Sequence, residues 1–91
     1  MKIYTNTIVF DDQVLGGQHL THDEAVVEAV QIASEVLGFE HADWTKVMRA
    51  FRTKQGMNPK TLVNIADDIR DQILDLDTVA YCDIAEERTL Y

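Results

Sequence analysis

Cysteine is almost missing from this chain: Cys82 is the single one in 91 residues. No disulfide can form within the chain, and a reducing cytosol is the compartment expected. Proline is equally scarce, with Pro59 alone, and a charged fraction of 26% is too moderate to keep the chain unfolded. No run approaches the roughly 18–20 apolar residues of a membrane span, so no membrane partner is expected. Met1-Lys2-Ile3-Tyr4-Thr5 lacks an uninterrupted apolar run and a small-residue cleavage site, and predicts no secretory signal. Gly-rich phosphate loops and Ser-His-Asp arrangements are missing too. Enzymatic activity, a bound metal and a cofactor are therefore not expected.

Acidic residues are missing from one place. Between Trp44 and Ala66 there is none, and five of the eight basic residues fall there: Lys46, Arg49, Arg52, Lys54 and Lys60. The rest of the chain sets three Lys or Arg against sixteen Asp and Glu, so 3 − 16 = −13 faces +5, for a net charge of −8. General nucleic-acid binding needs a dominant basic surface and is disfavoured. A strongly acidic protein is attracted instead to basic partners, nucleic-acid-binding proteins among them.

What remains is an ordinary globular composition, 46% apolar. A chain this short makes one domain, residues 1–91, burying about 60–65% of its extended-chain surface. Residues 2–10 are β-branched and aromatic and read as a strand; Asp11-Asp12 marks a turn, and Val14-Leu15 a short return strand before Gly16-Gly17. The segment from Asp11 to Leu20 is otherwise expected to be loop.

Three helices follow. Thr21 and Glu24 have capping-box spacing. The first helix then carries Val26, Ala29, Val30, Ala33, Val36 and Leu37 on its apolar stripe, and ends at Gly38. The second runs from an N-cap at Asp43 to Lys54, with Trp44, Val47, Met48 and Phe51 on one face and its cations elsewhere. Asn58-Pro59 opens the third, whose stripe is Leu62, Ile65, Ala66, Ile69, Ile73 and Leu76. Thr78 to Ile84 has strand character and should pair with the N-terminal strand, while Ala85 to Tyr91 reads as a turn or tail. The expected fold class is α+β: three helices packed on a two- or three-stranded antiparallel sheet in the order β-α-α-α-β, with helix dominant.

The sharpest surface feature is the back of the third helix. Asp67, Asp71 and Asp75 follow i, i+4 spacing, with Asp68 beside them. Each such like-charge pair costs a helix roughly 0.2–0.5 kcal/mol, and Asp75 also sits at the unfavourable end of the helix dipole. These carboxylates, helped by Glu24, Glu28 and Glu35, form a candidate docking face for a basic protein surface. The alternatives are a merely solvated face, or pairing with the basic helix inside the fold. Phage-encoded inhibitors of defence nucleases, anti-CRISPR and anti-restriction proteins, share this size and charge; the likeness rests on no residue motif. A homodimer is compatible with the same reading.

A second surface is Lys46, Arg49, Arg52 and Lys54; the first three are expected to neutralise carboxylates of helices one and three, and the alternative is a basic patch that contacts nucleic acid or another acidic partner. As a helix-turn-helix the pair of helices fails where it matters, because the second carries Asp67, Asp68 and Asp71 toward phosphate. Val63, Arg70 and Leu74 share a flank of the third helix, either as an interface or as a second packed side. His19 and His22 are spaced for two zinc ligands without a third nearby, and Cys82 reads as a buried residue rather than a nucleophile.

Overall fold

The computed structural model describes Met1 to Leu90. Strand β1 (Lys2–Phe10) is the centre of a four-stranded antiparallel sheet. Asp11 and Asp12, both at positive φ (45° and 64°), make the two-residue turn into β2 (Gln13–Leu15). Such turns match the twist of the flanking strands and favour Asn, Asp and Gly. The chain breaks at Gly16-Gly17 and rejoins the same edge of β1 as β3 (Gln18–His19), opposite Tyr4 and Thr5. β2 covers the expected return strand at Val14-Leu15, whereas β3 falls in the segment otherwise expected to be loop and raises the strand count to four. β3 is only two residues long, too short to leave a pattern in the sequence.

α1 (His22–Gln31) starts where the sequence placed it. Thr21 Oγ1 accepts a hydrogen bond from the Glu24 N–H at 3.2 Å. The helix does not end cleanly at Gly38, however: Ile32–Val36 forms a π turn, closed by Leu37 N–H to the Ile32 carbonyl at 3.1 Å. The extra residue in that turn shifts the register of the stripe, so Ala33 stays buried while Val36 swings out to 58% exposure. Gly38 then takes the left-handed conformation (φ 74°), and Phe39 N–H folds back to the Ala33 carbonyl at 2.9 Å.

α2 (Ala42–Arg52) is capped by His41 rather than Asp43: His41 Nδ1 accepts from the Asp43 N–H at 3.2 Å. It rests mainly on α1, through Trp44 and Val47. Phe51, expected inside, is 42% exposed, because α2 touches its neighbours along a narrower ridge than its apolar face. α3 (Pro59–Leu74) begins with Asn58 Oδ1 accepting from the Lys60 N–H at 2.9 Å and Pro59 in the first turn. It packs on α1 and on β4. Leu62, Ile69 and Ile73 are almost wholly buried, as the stripe predicted.

β4 (Val79–Thr89) runs antiparallel to β1 from Phe10↔Val79 to Lys2↔Thr89. The strand therefore continues through the segment expected to be a tail; Tyr91 lies outside the described residues. Backbone pairing with Lys2 to Thr5 holds Glu86 to Thr89 despite their charge. Two register shifts interrupt the ladder, and at the first Ala85 adopts φ 53° opposite Asn6. The fold is α+β, with three α-helices and one antiparallel sheet. Ile8 and Cys82, partners across the β1–β4 ladder, supply the sheet's share of the core.

Candidate functional site

The acidic residues singled out in the sequence separate into groups. Asp67 and Asp71 remain on the outer side of α3, 55% and 73% exposed, each with a carboxylate oxygen 3.6 Å from the Arg70 guanidinium. Arg70 thus bridges two consecutive turns, a role its flank with Val63 and Leu74 did not suggest. Those two apolar neighbours are each 47% exposed, so this flank is not covered by a second packed layer. Asp75 caps the C-terminus of α3 at the surface. Asp68 turns to the other side, where it accepts from Gln72 Nε2 at 2.9 Å and lies 3.8 Å from His41 Nε2.

More carboxylates lie beyond the end of the helix. The Asp11 N–H reaches the Thr78 carbonyl at 3.4 Å, which brings the Asp11-Asp12 turn beside the loop that carries Asp77. Asp11, Asp12, Asp75 and Asp77 are all exposed, and among the described residues none is in an ion pair.

On α1 the carboxylates behave differently. Glu28 points at the sheet: its Oε1 accepts from Asn6 Nδ2 at 3.1 Å and lies 3.0 Å from His19 Nε2, an ion-pair distance without hydrogen-bond geometry. Glu24 and Glu35 are exposed. The structure thus gives Glu28 an internal partner set that sequence spacing could not reveal.

The basic residues divide just as sharply. Lys2, Arg70 and Arg88, the three outside the acid-free segment, all have carboxylates within 4.0 Å. Inside it, Lys46 pairs with Asp43 of its own helix at 3.7 Å. Arg49, Arg52, Lys54 and Lys60 are exposed and, among the described residues, in no ion pair. The expected neutralisation of Lys46, Arg49 and Arg52 by helices one and three does not occur.

Arg49 and Arg52 instead line a cleft of about 670 Å³ bounded by the π turn, the loop of Phe39 to His41 and one side of α2. Its apolar wall includes Trp44, whose indole stacks on the His41 ring at 5.5 Å between centroids. Trp44 Nε1–H is buried with no hydrogen-bond partner among the described residues; leaving such a donor unmade costs roughly 1–3 kcal/mol. Nothing in the sequence flagged this cleft, because the π turn that shapes it has no sequence signature.

Two residues with potential chemistry are quiet. Burial, and next the Asp83 carboxylate, push the Cys82 thiol up to about 11, so it stays protonated at neutral pH. The Tyr81 phenol is also raised, first by its hydrogen bond to Asp83. His22 meets the Tyr4 ring edge-on at 5.6 Å, and among the described residues no group of three or more His, Cys, Asp or Glu is placed to hold a metal. No helix among them is long and apolar enough to cross a membrane. Compared with protein families, curated proteins and solved structures, the chain finds no match.

Proposed function

We propose that this chain is a protein-binding protein that acts by occupancy rather than turnover, docking the acidic outer side of α3 on a basic surface of its partner. One observation carries the reading. Asp67, Asp71 and Asp75 stand at the surface with Arg70 the only Lys or Arg paired to them among the described residues, and Asp77, Asp11 and Asp12 are exposed beyond the end of the helix. Two turns of carboxylate answered by one guanidinium leave a net negative strip that complements a nucleic-acid-binding groove. Inhibition of such a partner, in the manner of a phage anti-CRISPR or anti-restriction protein, is the most specific form of the reading. Glu24 and Glu35 would add long-range attraction, whereas Glu28 is already engaged by Asn6 and His19.

The test begins with capture of the partner from the native host at about 50 mM and about 500 mM salt, because screening releases a charge-driven complex. Affinity of the captured partner is then measured for the Asp67→Asn, Asp71→Asn, Asp75→Asn triple variant. A loss of about 3-fold to 150-fold is expected from three peripheral charges at roughly 0.2–1 kcal/mol each. Unchanged affinity, together with loss of binding on Arg49→Glu, sinks the reading.

A second reading follows from the four cations between Arg49 and Lys60 that are in no ion pair among the described residues. Here α2 contacts an acidic partner or nucleic acid through Arg49, Arg52 and Lys54. Anisotropy of a labelled short duplex separates it from the first: binding that falls steeply with salt and is lost in Arg49→Glu supports this reading alone.

A further inference from the structure

The cleft beside α2 is independent of the acidic row, for none of Asp67, Asp71 and Asp75 lines it. We propose that it binds a small molecule with a flat apolar body and one anionic group, a carboxylate or a phosphate. The apolar wall is formed by Phe39, Met48 and the exposed ring of His41, which stacks on the indole of Trp44, itself 2% exposed beneath it. A volume of about 670 Å³ lies within the range typical of ligand pockets, roughly 300–1,000 Å³.

The anionic half is Arg49 and Arg52, three residues apart on α2 and both on the lining. Neither has a carboxylate at ion-pair distance among the described residues, although the chain carries sixteen acids. Their planar forks match a carboxylate or phosphate in geometry as well as charge. Glu40 is the one carboxylate on the lining, so two guanidiniums against it leave a net positive rim.

Size follows from the neighbours. Lys54 and Lys60, the other unpaired cations, do not line the cleft, so an anion seated there meets two arginines rather than a long basic track. The lining hydroxyls of Ser34 and Thr53 already donate to the Val30 and Arg49 carbonyls, whereas the Thr45 hydroxyl has no partner among the described residues. The indole N–H of Trp44 is itself buried behind this wall and would not meet the ligand. The π turn that sets the far side is a distortion often found at binding sites.

Trp44 is the only tryptophan, so its fluorescence and its indole N–H resonance report on one place, the packed layer directly beneath the His41 ring of the cleft. The probes are 1-naphthoate and its uncharged isostere 1-naphthamide, titrated into the intact chain. We expect saturable changes in both signals, with naphthoate binding at least about tenfold more tightly than the amide. The doubly substituted Arg49→Gln, Arg52→Gln protein, with its near-UV dichroism retained, should lose that preference. The Arg49→Lys, Arg52→Lys protein keeps the charge without the fork and should fall between the two. The triple Asp→Asn variant of α3 should bind naphthoate as the parent does, which separates failure here from failure of the acidic-face reading. Equal binding of acid and amide, no saturable response, or an undiminished preference in the glutamine variant would overturn the proposal. Displacement of naphthoate by a short DNA duplex would overturn it too, by assigning the arginines to nucleic acid.

Discussion

The side-chain oxygen of Asn6 accepts a hydrogen bond from the backbone N–H of Ala85 at 2.8 Å, joining positions 79 apart in the sequence. Asn6 is 3% exposed, and its amide nitrogen donates to the Ala25 carbonyl at 2.7 Å and to Glu28. Its own N–H reaches the Gly17 carbonyl at 3.0 Å. One side chain therefore fastens α1 and the β4 bulge to the middle of β1, at the position where both flanking strands are irregular.

Asn6→Ala leaves the Ala85 N–H without its partner and takes from the Ala25 carbonyl the bond it makes beyond the helical one. An unmet group costs roughly 1–3 kcal/mol and a lost hydrogen bond about 1 kcal/mol, so a loss of about 2–3 kcal/mol is expected. Urea unfolding would register it as a lower midpoint at unchanged slope. A shift under about 1 kcal/mol would mean that water reaches the bulge and takes over the bonds. Ala85→Gly tests the same place from the other side. Ala85 holds φ 53°, so glycine should be neutral or stabilising by up to about 1 kcal/mol.

Gly16 and Gly38 both have positive φ, yet replacing them with alanine should differ in outcome. A Cβ on Gly16 would lie 2.3 Å from the Asn6 carbonyl oxygen, a clash with backbone that has no free end to move. Gly38 at φ 74° has nothing within 4 Å of such a Cβ. Gly38→Ala is expected to cost about 1 kcal/mol from backbone strain alone. Gly16→Ala adds the clash, for a loss of roughly 3 kcal/mol or more. Thermal midpoints of the two variants, measured side by side, decide this; equal shifts would show that the β2–β3 crossing adapts freely.

These relationships mark the boundary of what sequence could reveal. Thr21 and Asn58-Pro59 announce their helices because a cap acts within three residues of itself. The stripe of Leu62, Ile69 and Ile73 is legible for the same reason, since helix periodicity is local. Asn6 sits in a β-branched run and gives no sign of its role, because its partners come from Ala25, Glu28 and Ala85. The final turns of β4 were hidden by their charge, which Lys2 and Arg88 answer through Glu87 and Glu86. Charge sorting pointed to exposed acids on α3 and exposed cations on α2, but not to Arg49 and Arg52 standing without a carboxylate partner among the described residues. It could not tell that Glu28 faces inward, or that a π turn opens a cleft beside Arg49 and Arg52.

Arg70 is expected to act as an electrostatic brace rather than a packing residue. With its guanidinium 3.6 Å from both Asp67 and Asp71, Arg70→Gln leaves an unrelieved like-charge pair at i, i+4 spacing. The loss should be about 0.5–1 kcal/mol at low salt, consistent with exposed pairs. Near 0.5 M salt most of it should vanish, because the screening length falls to a few ångströms. A loss independent of salt would instead place the contribution in the aliphatic stem, packed beside Val63 and Leu74.

Cys82 should make stability depend on alkaline pH. Its ordinary value of 9.0 is pushed up to about 11 in the folded protein, chiefly by burial. The native state therefore keeps the thiol proton at pH values where the unfolded chain has released it. Below the unfolded value the stabilisation is full; it declines as pH rises from about 9 and is gone above about 11. Other groups titrate in the same window, so the measurement is a difference: urea midpoints of the parent and of Cys82→Ala, taken from pH 7 upward. The parent should lose more stability than the alanine variant as pH climbs, and a constant gap would refute the assignment. Thiol labelling at about pH 8 supplies an independent check. With Cys82 at 4% exposure, a disulfide reagent should react only through opening of the sheet, orders of magnitude more slowly than with the unfolded chain. Rapid labelling of the folded protein would mean that β4 leaves β1 readily, and with it the bulge that Asn6 holds.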